Sequence, residues 1–253
     1  MADRIALTVD LEPDWGIRGT QAFRTITPRV LRFLEERDMQ ATFFVCSDLM
    51  DESEQLVAAI AERNEVASHG RSHRPLSGMA RAEALEEMAE SRRRLQQSGR
   101  PVEGFRAPFF RRGPGHFALL RRAGYAYDAS MGSIMPGPAN GRLAALPCPH
   151  RRGGLHEFPT SAMAGGMLPL SLTWLRLCAP LAARCLPRQP TLVYLHLHEF
   201  LPPETARDLR PPLRQALTRN CGEPAWRILE QALDALDAEF TTCSAILHGL
   251  PAR

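Results

Sequence analysis

Four short stretches hold most of the side chains that could do chemistry. Thr8-Val9-Asp10-Leu11-Glu12-Pro13-Asp14-Trp15 places carboxylates two positions apart behind an apolar run. In a strand, side chains two apart leave the same face, so Asp10 and Glu12 point together. One can ligate a cation while the other acts as a base. His69-Gly70-Arg71-Ser72-His73 sets two imidazoles four residues apart. On a turn entering a helix, that spacing brings both to one metal ion. Gly70 gives the backbone the freedom such a turn needs. With a carboxylate from another strand end, His69 and His73 make a two-histidine, one-carboxylate set with open positions for water and substrate. That set suits zinc, iron or cobalt.

In Arg106-Ala107-Pro108-Phe109, Arg106 can keep a carboxylate ionised, and Pro108 stiffens the loop that presents the Phe109 amide. The competing reading of Arg106 is an ordinary ion pair at a barrel rim. Tyr194, His196 and His198 alternate with Val193, Leu195 and Leu197, so they share one face of an apolar strand. Strand geometry puts the two histidines about 7 Å apart. A histidine in such a strand must find a polar partner.

The elements that carry these residues alternate between short apolar strands and helical patterns, which indicates parallel β/α architecture. Strands are expected at 5–9, 41–45, 65–68, 104–106, 125–128 and 191–198, with a strand edge at 157–159 and a closing strand at 240–242. Helices are expected to open at Thr27–Pro28, as N-cap and first helical residue, and to cover 56–63, 82–97, 116–123 and 225–236. Residues 132–154, rich in Gly and Pro, read as an irregular excursion. No internal repeat is present. The fold class is therefore α/β, a distorted or incomplete (β/α) barrel of about seven parallel strands, with residues 1–253 as a single domain. Barrels of this kind build their sites at the C-terminal ends of strands, and Asp10, His69, Arg106 and His196 all fall there.

Composition removes several alternatives. All 31 basic residues are arginine, which excludes a Schiff-base lysine, a P-loop lysine and a lysine general base. The net charge of +3 and the lack of a basic stretch with interleaved aromatics give nucleic-acid binding no support. Arg92–Arg93–Arg94 reads as a solvated helix face. The six cysteines show no paired spacing and read as buried thiols of a reducing compartment. The N-terminus carries no signal peptide pattern, and the apolar run 163–186 is interrupted by Pro169, Arg176, Pro180 and Arg184. A cytoplasmic location is the expectation. The stretch 168–186 reads as a buried barrel helix, with a lipid-bearing substrate at a membrane surface as the alternative.

In order and content these motifs resemble the NodB-type polysaccharide deacetylase family, from about Ile5 to His198. Thr-Val-Asp-Leu-Glu resembles its first motif, Ala41-Thr42-Phe43-Phe44-Val45 its second strand, and His69 to His73 its metal-binding motif. Arg106-Ala107-Pro108-Phe109 resembles its Arg-x-Pro-aromatic motif, and His196 stands at the last motif's histidine. The spacing Asp10-Leu11-Glu12 departs from the family's adjacent acid pair and looks like a subgroup with a Val-Asp-x-Glu first motif. The resemblance implies a distorted barrel and hydrolysis of an N-acetyl or other N-acyl group on an amino sugar, free or lipid-linked. It implies one divalent metal, zinc foremost with cobalt, iron, nickel and manganese as alternatives, held by Glu12, His69 and His73, with Asp14 as the rival to Glu12. Asp10 becomes the base, Arg106 its partner, the Phe109 amide the oxyanion donor and His196 the general acid. His198, Trp15 and Pro108 are placed at the substrate, and Glu157, Glu199 and Asp128 compete to orient His196. The rival readings are a deformylase or amidohydrolase acting on a lipid-linked sugar or a small cyclic amide, and a barrel that binds carbohydrate without catalysis.

Overall fold

The computed structural model describes residues 4–132 and 148–250. The rest of the expected excursion, 133–147, lies outside them. Eleven strands alternate with helices among the described residues: β1 (Arg4–Leu11), β2 (Thr42–Val45), β3 (Glu65–Ser68), β4 (Gly104–Phe105), β5 (Tyr127–Asp128), β6 (His150–Arg152), β7 (Leu155–Glu157), β8 (Ala162–Met163), β9 (Leu168–Pro169), β10 (Leu192–His196) and β11 (Glu239–Thr241). Nine form one curled sheet in the order β10-β1-β2-β3-β4-β5-β7-β6, with β11 pairing the start of β1. Within this sheet, among the described residues, only the β6–β7 pair is antiparallel; β8 and β9 form a separate antiparallel pair. The result is the half-barrel that the β/α alternation predicts. The antiparallel β6 is an addition from within the excursion.

Period-two alternation decides what each strand offers. On β1, Ile5, Leu7, Val9 and Leu11 face the helices and join the main core, while Ala6 packs in a second cluster inside the curl with Phe44, Tyr127 and Tyr194. Thr8 and Asp10 follow Ala6 by two and four positions, so they share that inner face. On β10, Val193 and Leu195 go to the main core, and Leu192 and Tyr194 to the inner cluster, which brings His196 inward at the strand's end. The register pairs Asp10 directly with His196.

The helices are α1 (Gln21–Glu36), α2 (Glu54–Arg63), α3 (Arg81–Leu95), α4 (His116–Ala123), α5 (Leu172–Cys178), α6 (Leu213–Leu217), α7 (Glu223–Leu236) and α8 (Cys243–Gly249). Several expectations need correction. α1 does not open at Thr27–Pro28: Pro28 lies inside it and Thr27 is buried. The helix starts seven residues earlier because Asp14 accepts hydrogen bonds from the Gln21 and Ala22 amides at 2.8 and 3.0 Å, satisfying donors that would otherwise be orphaned. The expected strand 191–198 stops at His196 and becomes a 3-10 turn over Leu197–Phe200. Residues 69–73 do not enter a helix; α3 begins only at Arg81. Of the cysteines, only Cys46, Cys221 and Cys243 are buried, while Cys148 is exposed; all six are unpaired. The arginine run of α3 is solvated only at Arg93, because Arg92 donates to the Val102 carbonyl and Arg94 pairs with Asp48. No helix among the described residues is long and apolar enough to cross a membrane.

Candidate active site

Glu12, His69 and His73 converge just past the ends of β1 and β3, each offering one ligand atom, with all three atoms within 4.8 Å of one another. Glu12 Oε2 lies 2.6 Å from His73 Nε2 and 3.5 Å from His69 Nε2. His69 Nδ1 lies 2.9 Å from the Arg106 carbonyl. A carbonyl only accepts, so Nδ1 carries the proton and Nε2 presents its lone pair to the cluster. His73 Nε2 is buried and meets no hydrogen-bond geometry. An oxygen and two imidazole nitrogens, the His69 one fixed in its metal-ready tautomer, fit a divalent cation of the zinc or cobalt type. Burial opposes ionisation of Glu12, but His196, His69 and His73 outweigh it and hold the carboxyl well below its usual range.

The loop bearing the histidines is held from outside. His73 has a φ of 58°, a left-handed conformation that costs a non-glycine residue energy unless its surroundings impose it. Glu87, buried on α3, supplies the constraint: its Oε1 accepts from the Arg71 and Ser72 amides and from the Ser72 hydroxyl at 2.8–3.0 Å. Pro108 is buried, and a Cβ on Gly70 would lie 3.6 Å from its Cγ. Pro108 thus packs against the Gly70 turn. Phe109 is 44% exposed, with its ring 4.4 Å from that of His73.

Asp10 faces this cluster from the inner wall of β1. It is buried, with Oδ1 2.5 Å from Arg106. Arg106 is buried too, donating to the Thr8 hydroxyl and the Ala129 carbonyl and lying 4.1 Å over the Phe44 ring. Asp14 is not in the cluster. Its oxygens are engaged by the Gln21 and Ala22 amides at the start of α1, whereas Glu12 is the carboxylate beside the two histidines.

His196 completes the cleft, its Nε2 3.9 Å from Asp10 Oδ2. Glu199 accepts from the His196 amide at 3.0 Å and lies 3.2 Å from its Nδ1. Of the three candidate acids, Glu199 is the one in contact with His196. Asp128 instead bonds His116 and Ser130, and Glu157 accepts from the Met131 amide. Sequence reading missed Arg176, which is buried on α5 and donates from Nε to Glu199 Oε2 at 2.8 Å. Burial raises the Glu199 carboxyl, but Arg176 and His196 outweigh it, leaving it at about 2. Burial likewise lowers His196, yet Glu12, Glu199 and Asp10 together lift it to about 9.

His198 behaves oppositely. Burial first, and the charge of His196 second, push it down to about 4. The 3-10 turn also stacks it on His196 at 5.0 Å between ring centroids, instead of two strand residues away. Trp15 packs against His198 at 4.8 Å between ring centroids and, with Ile17, Arg18 and Asp208, lines a cavity of about 300 Å³.

The model of the family described as polysaccharide deacetylase matches residues 2–127, about half of the chain. Among curated proteins none matches the chain in sequence. Similar solved folds include the Xyl-CE4 domain of a multidomain xylanase from the hindgut metagenome of Trinervitermes trinervoides, 16% identical, covering 98% of this chain and 91% of that one with a TM-score of 0.56. A family 4 acetyl xylan esterase from Clostridium thermocellum, in complex with a cobalt ion, is 19% identical over 98% and 93% with a TM-score of 0.55. A CE4 family pseudoenzyme from Bacillus anthracis is 12% identical over 98% and 66% with a TM-score of 0.54. The matched span carries Asp10, Glu12, His69, His73 and Arg106 on the strand ends just described, and this chain belongs to the polysaccharide deacetylase family.

Proposed function

We propose that this protein is a metal-dependent hydrolase that removes an N-acyl group, acetyl foremost, from an amino sugar or polysaccharide. The observation that carries the reading is one cleft holding a three-ligand cluster, a buried Asp10–Arg106 pair and a His196–Glu199–Arg176 chain. Because the fold also occurs in a pseudoenzyme, the argument rests on these side chains and not on the fold.

Glu12, His69 and His73 would hold the cation, which supplies Lewis acidity toward the acyl carbonyl and toward water. Asp10 takes a proton from the attacking water; Arg106, against its other oxygen, keeps the carboxylate charged and fixed. The Phe109 amide, in the turn after Pro108, is the donor toward the oxyanion. His196 holds the second proton. Its Nδ1 is turned to Glu199, which leaves Nε2 facing the cleft and the leaving nitrogen. An amine expelled without that proton would be a very strong base, so this step separates amide from ester chemistry. His198, neutral at pH 7, forms with Trp15 a wall for the sugar.

The test compares His196→Ala and His198→Ala on an N-acetyl substrate and on an activated ester whose leaving group needs no proton. His196→Ala is expected to lose about two to four powers of ten on the amide and far less on the ester. The reverse pattern, with the selective loss in His198→Ala, would exchange their roles.

A further inference from the structure

Residues 104–198 hold eleven arginines but only two carboxylates, Asp128 and Glu157, and both acids are buried. Several surface arginines elsewhere are paired: Arg29 with Glu223, Arg37 with Asp234, Arg63 with Glu35 and Arg93 with Glu90. Arg81, Arg121 and Arg152 form no ion pair among the described residues. All three converge on α4 and the turn joining β6 to β7. The Arg81 guanidinium lies 3.0 Å from where a Cβ on Gly115, the N-cap of α4, would sit. Arg121 lies 2.6 Å from the corresponding point on Gly154. Arg152 and Arg112 stand over the Phe117 ring at 5.6 and 5.7 Å. Arg112, His116, Phe117, Arg121, Arg152 and Gly153 line an open cavity of about 530 Å³.

Two further features show what this arrangement lacks. α4 starts with no side-chain cap and no acid in its first turn. A helix N-terminus carries positive partial charge, so the Arg81 guanidinium beside the Gly115 cap is unfavourable there until an anion joins it, while Arg121 stands in the last turn of the same helix. His116, the first residue of α4, is 4% exposed; its Nε2 bonds Asp128 at 3.0 Å, and its Nδ1 is buried without a partner.

We propose that this cavity binds the phosphate of a phosphate-bearing ligand. A planar carboxylate is saturated by one guanidinium fork, whereas a phosphate offers oxygens in several directions. Arg112 is buried and paired with Glu157, and the remaining guanidiniums come from several directions: Arg81 from the start of α3 beside Gly115, Arg121 from α4 and Arg152 from β6. The cavity shares no residue with the metal cluster, and the proposal does not depend on the hydrolytic reading. The loop that presents Arg106 and Phe109 continues into it at Arg112.

The test titrates inorganic pyrophosphate into the full-length protein by calorimetry, beside glucuronate as the carboxylate probe. Saturable pyrophosphate binding is expected, weakened at least about tenfold in Arg121→Gln/Arg152→Gln, since each replacement removes charge-assisted hydrogen bonds. Both side chains reach the cavity surface, so the variant leaves the core intact. Arg184→Gln/Arg188→Gln, which also removes two positive charges, keeps wild-type affinity. Sedimentation with phosphatidylglycerol and with neutral phosphatidylcholine vesicles identifies the source. Pelleting with the anionic vesicles alone, reversed by pyrophosphate, assigns the site to lipid headgroups; pyrophosphate binding without pelleting assigns it to a soluble phosphate. Unchanged pyrophosphate affinity in Arg121→Gln/Arg152→Gln, or glucuronate binding as tight as pyrophosphate, overturns the proposal. So does loss of binding in Glu12→Gln, which would put the anion at the metal cluster.

Discussion

His196 and His198 carry the same side chain two positions apart, and their surroundings set them in opposite charge states. Both lose solvation on burial. Only His196 has Glu199 against its Nδ1, and it sits at about 9 while its neighbour falls to about 4. A catalytic acid must be protonated, so activity is lost as pH rises through the His196 value. Removing the Glu199 charge lowers that value. In Glu199→Gln the alkaline limb of kcat is therefore expected to move to lower pH by about one unit or more, read from a pH–rate profile, with the acid limb little changed. An alkaline limb that stays in place means Glu199 does not tune the acid. Sequence alone offered three carboxylates for this role. It could not choose because the choice depends on the 3-10 turn that folds residue 199 back under residue 196. Arg176 was less legible still: its partner is 23 residues away, and it lies in a stretch whose apolar neighbours mark it only as a helix residue.

At the scale of elements, the inner and outer faces of β1 and β10 were readable because strand alternation is strict. That is why Asp10, Arg106 and His196 were placed correctly at strand ends. The end of β10 was hidden because Leu197 continues the apolar alternation into the turn. The start of α1 was hidden by Pro28, a strong N-terminal signal in sequence that here sits in the helix interior, while the true cap comes from Asp14, seven residues before Gln21. Asp14 is thus a helix-capping acid near Asp10, the base in the proposed reaction. Asp14→Ala is expected to destabilise the protein by about 1–2 kcal/mol, the usual worth of a helix cap, measured by urea unfolding, with metal content retained. Loss of the metal together with unchanged stability would return Asp14 to the ligand set. Glu87 makes the same point for the histidine loop. Its buried oxygen imposes the conformation at residue 73, and nothing in the His-x-x-x-His spacing identifies the side chain responsible.

On the scale of the whole molecule, the half-barrel gathers Asp10, Glu12, His69, Arg106 and His196 from strands far apart in sequence, and their shared cleft is the basis for assigning hydrolysis. The central claim is that a bound divalent cation and Asp10 act together on an N-acyl sugar. The most direct measurement is acetate release from a panel of N-acetylated amino sugars, free and lipid-linked. It compares metal-stripped, zinc-reloaded and zinc-reloaded Asp10→Asn protein, with metal content assayed in each sample. The account predicts acetate from the reloaded wild type, none from stripped protein, and full metal with at least about a hundredfold slower release in Asp10→Asn. Release by stripped protein at the reloaded rate, or by Asp10→Asn at the wild-type rate, would contradict it.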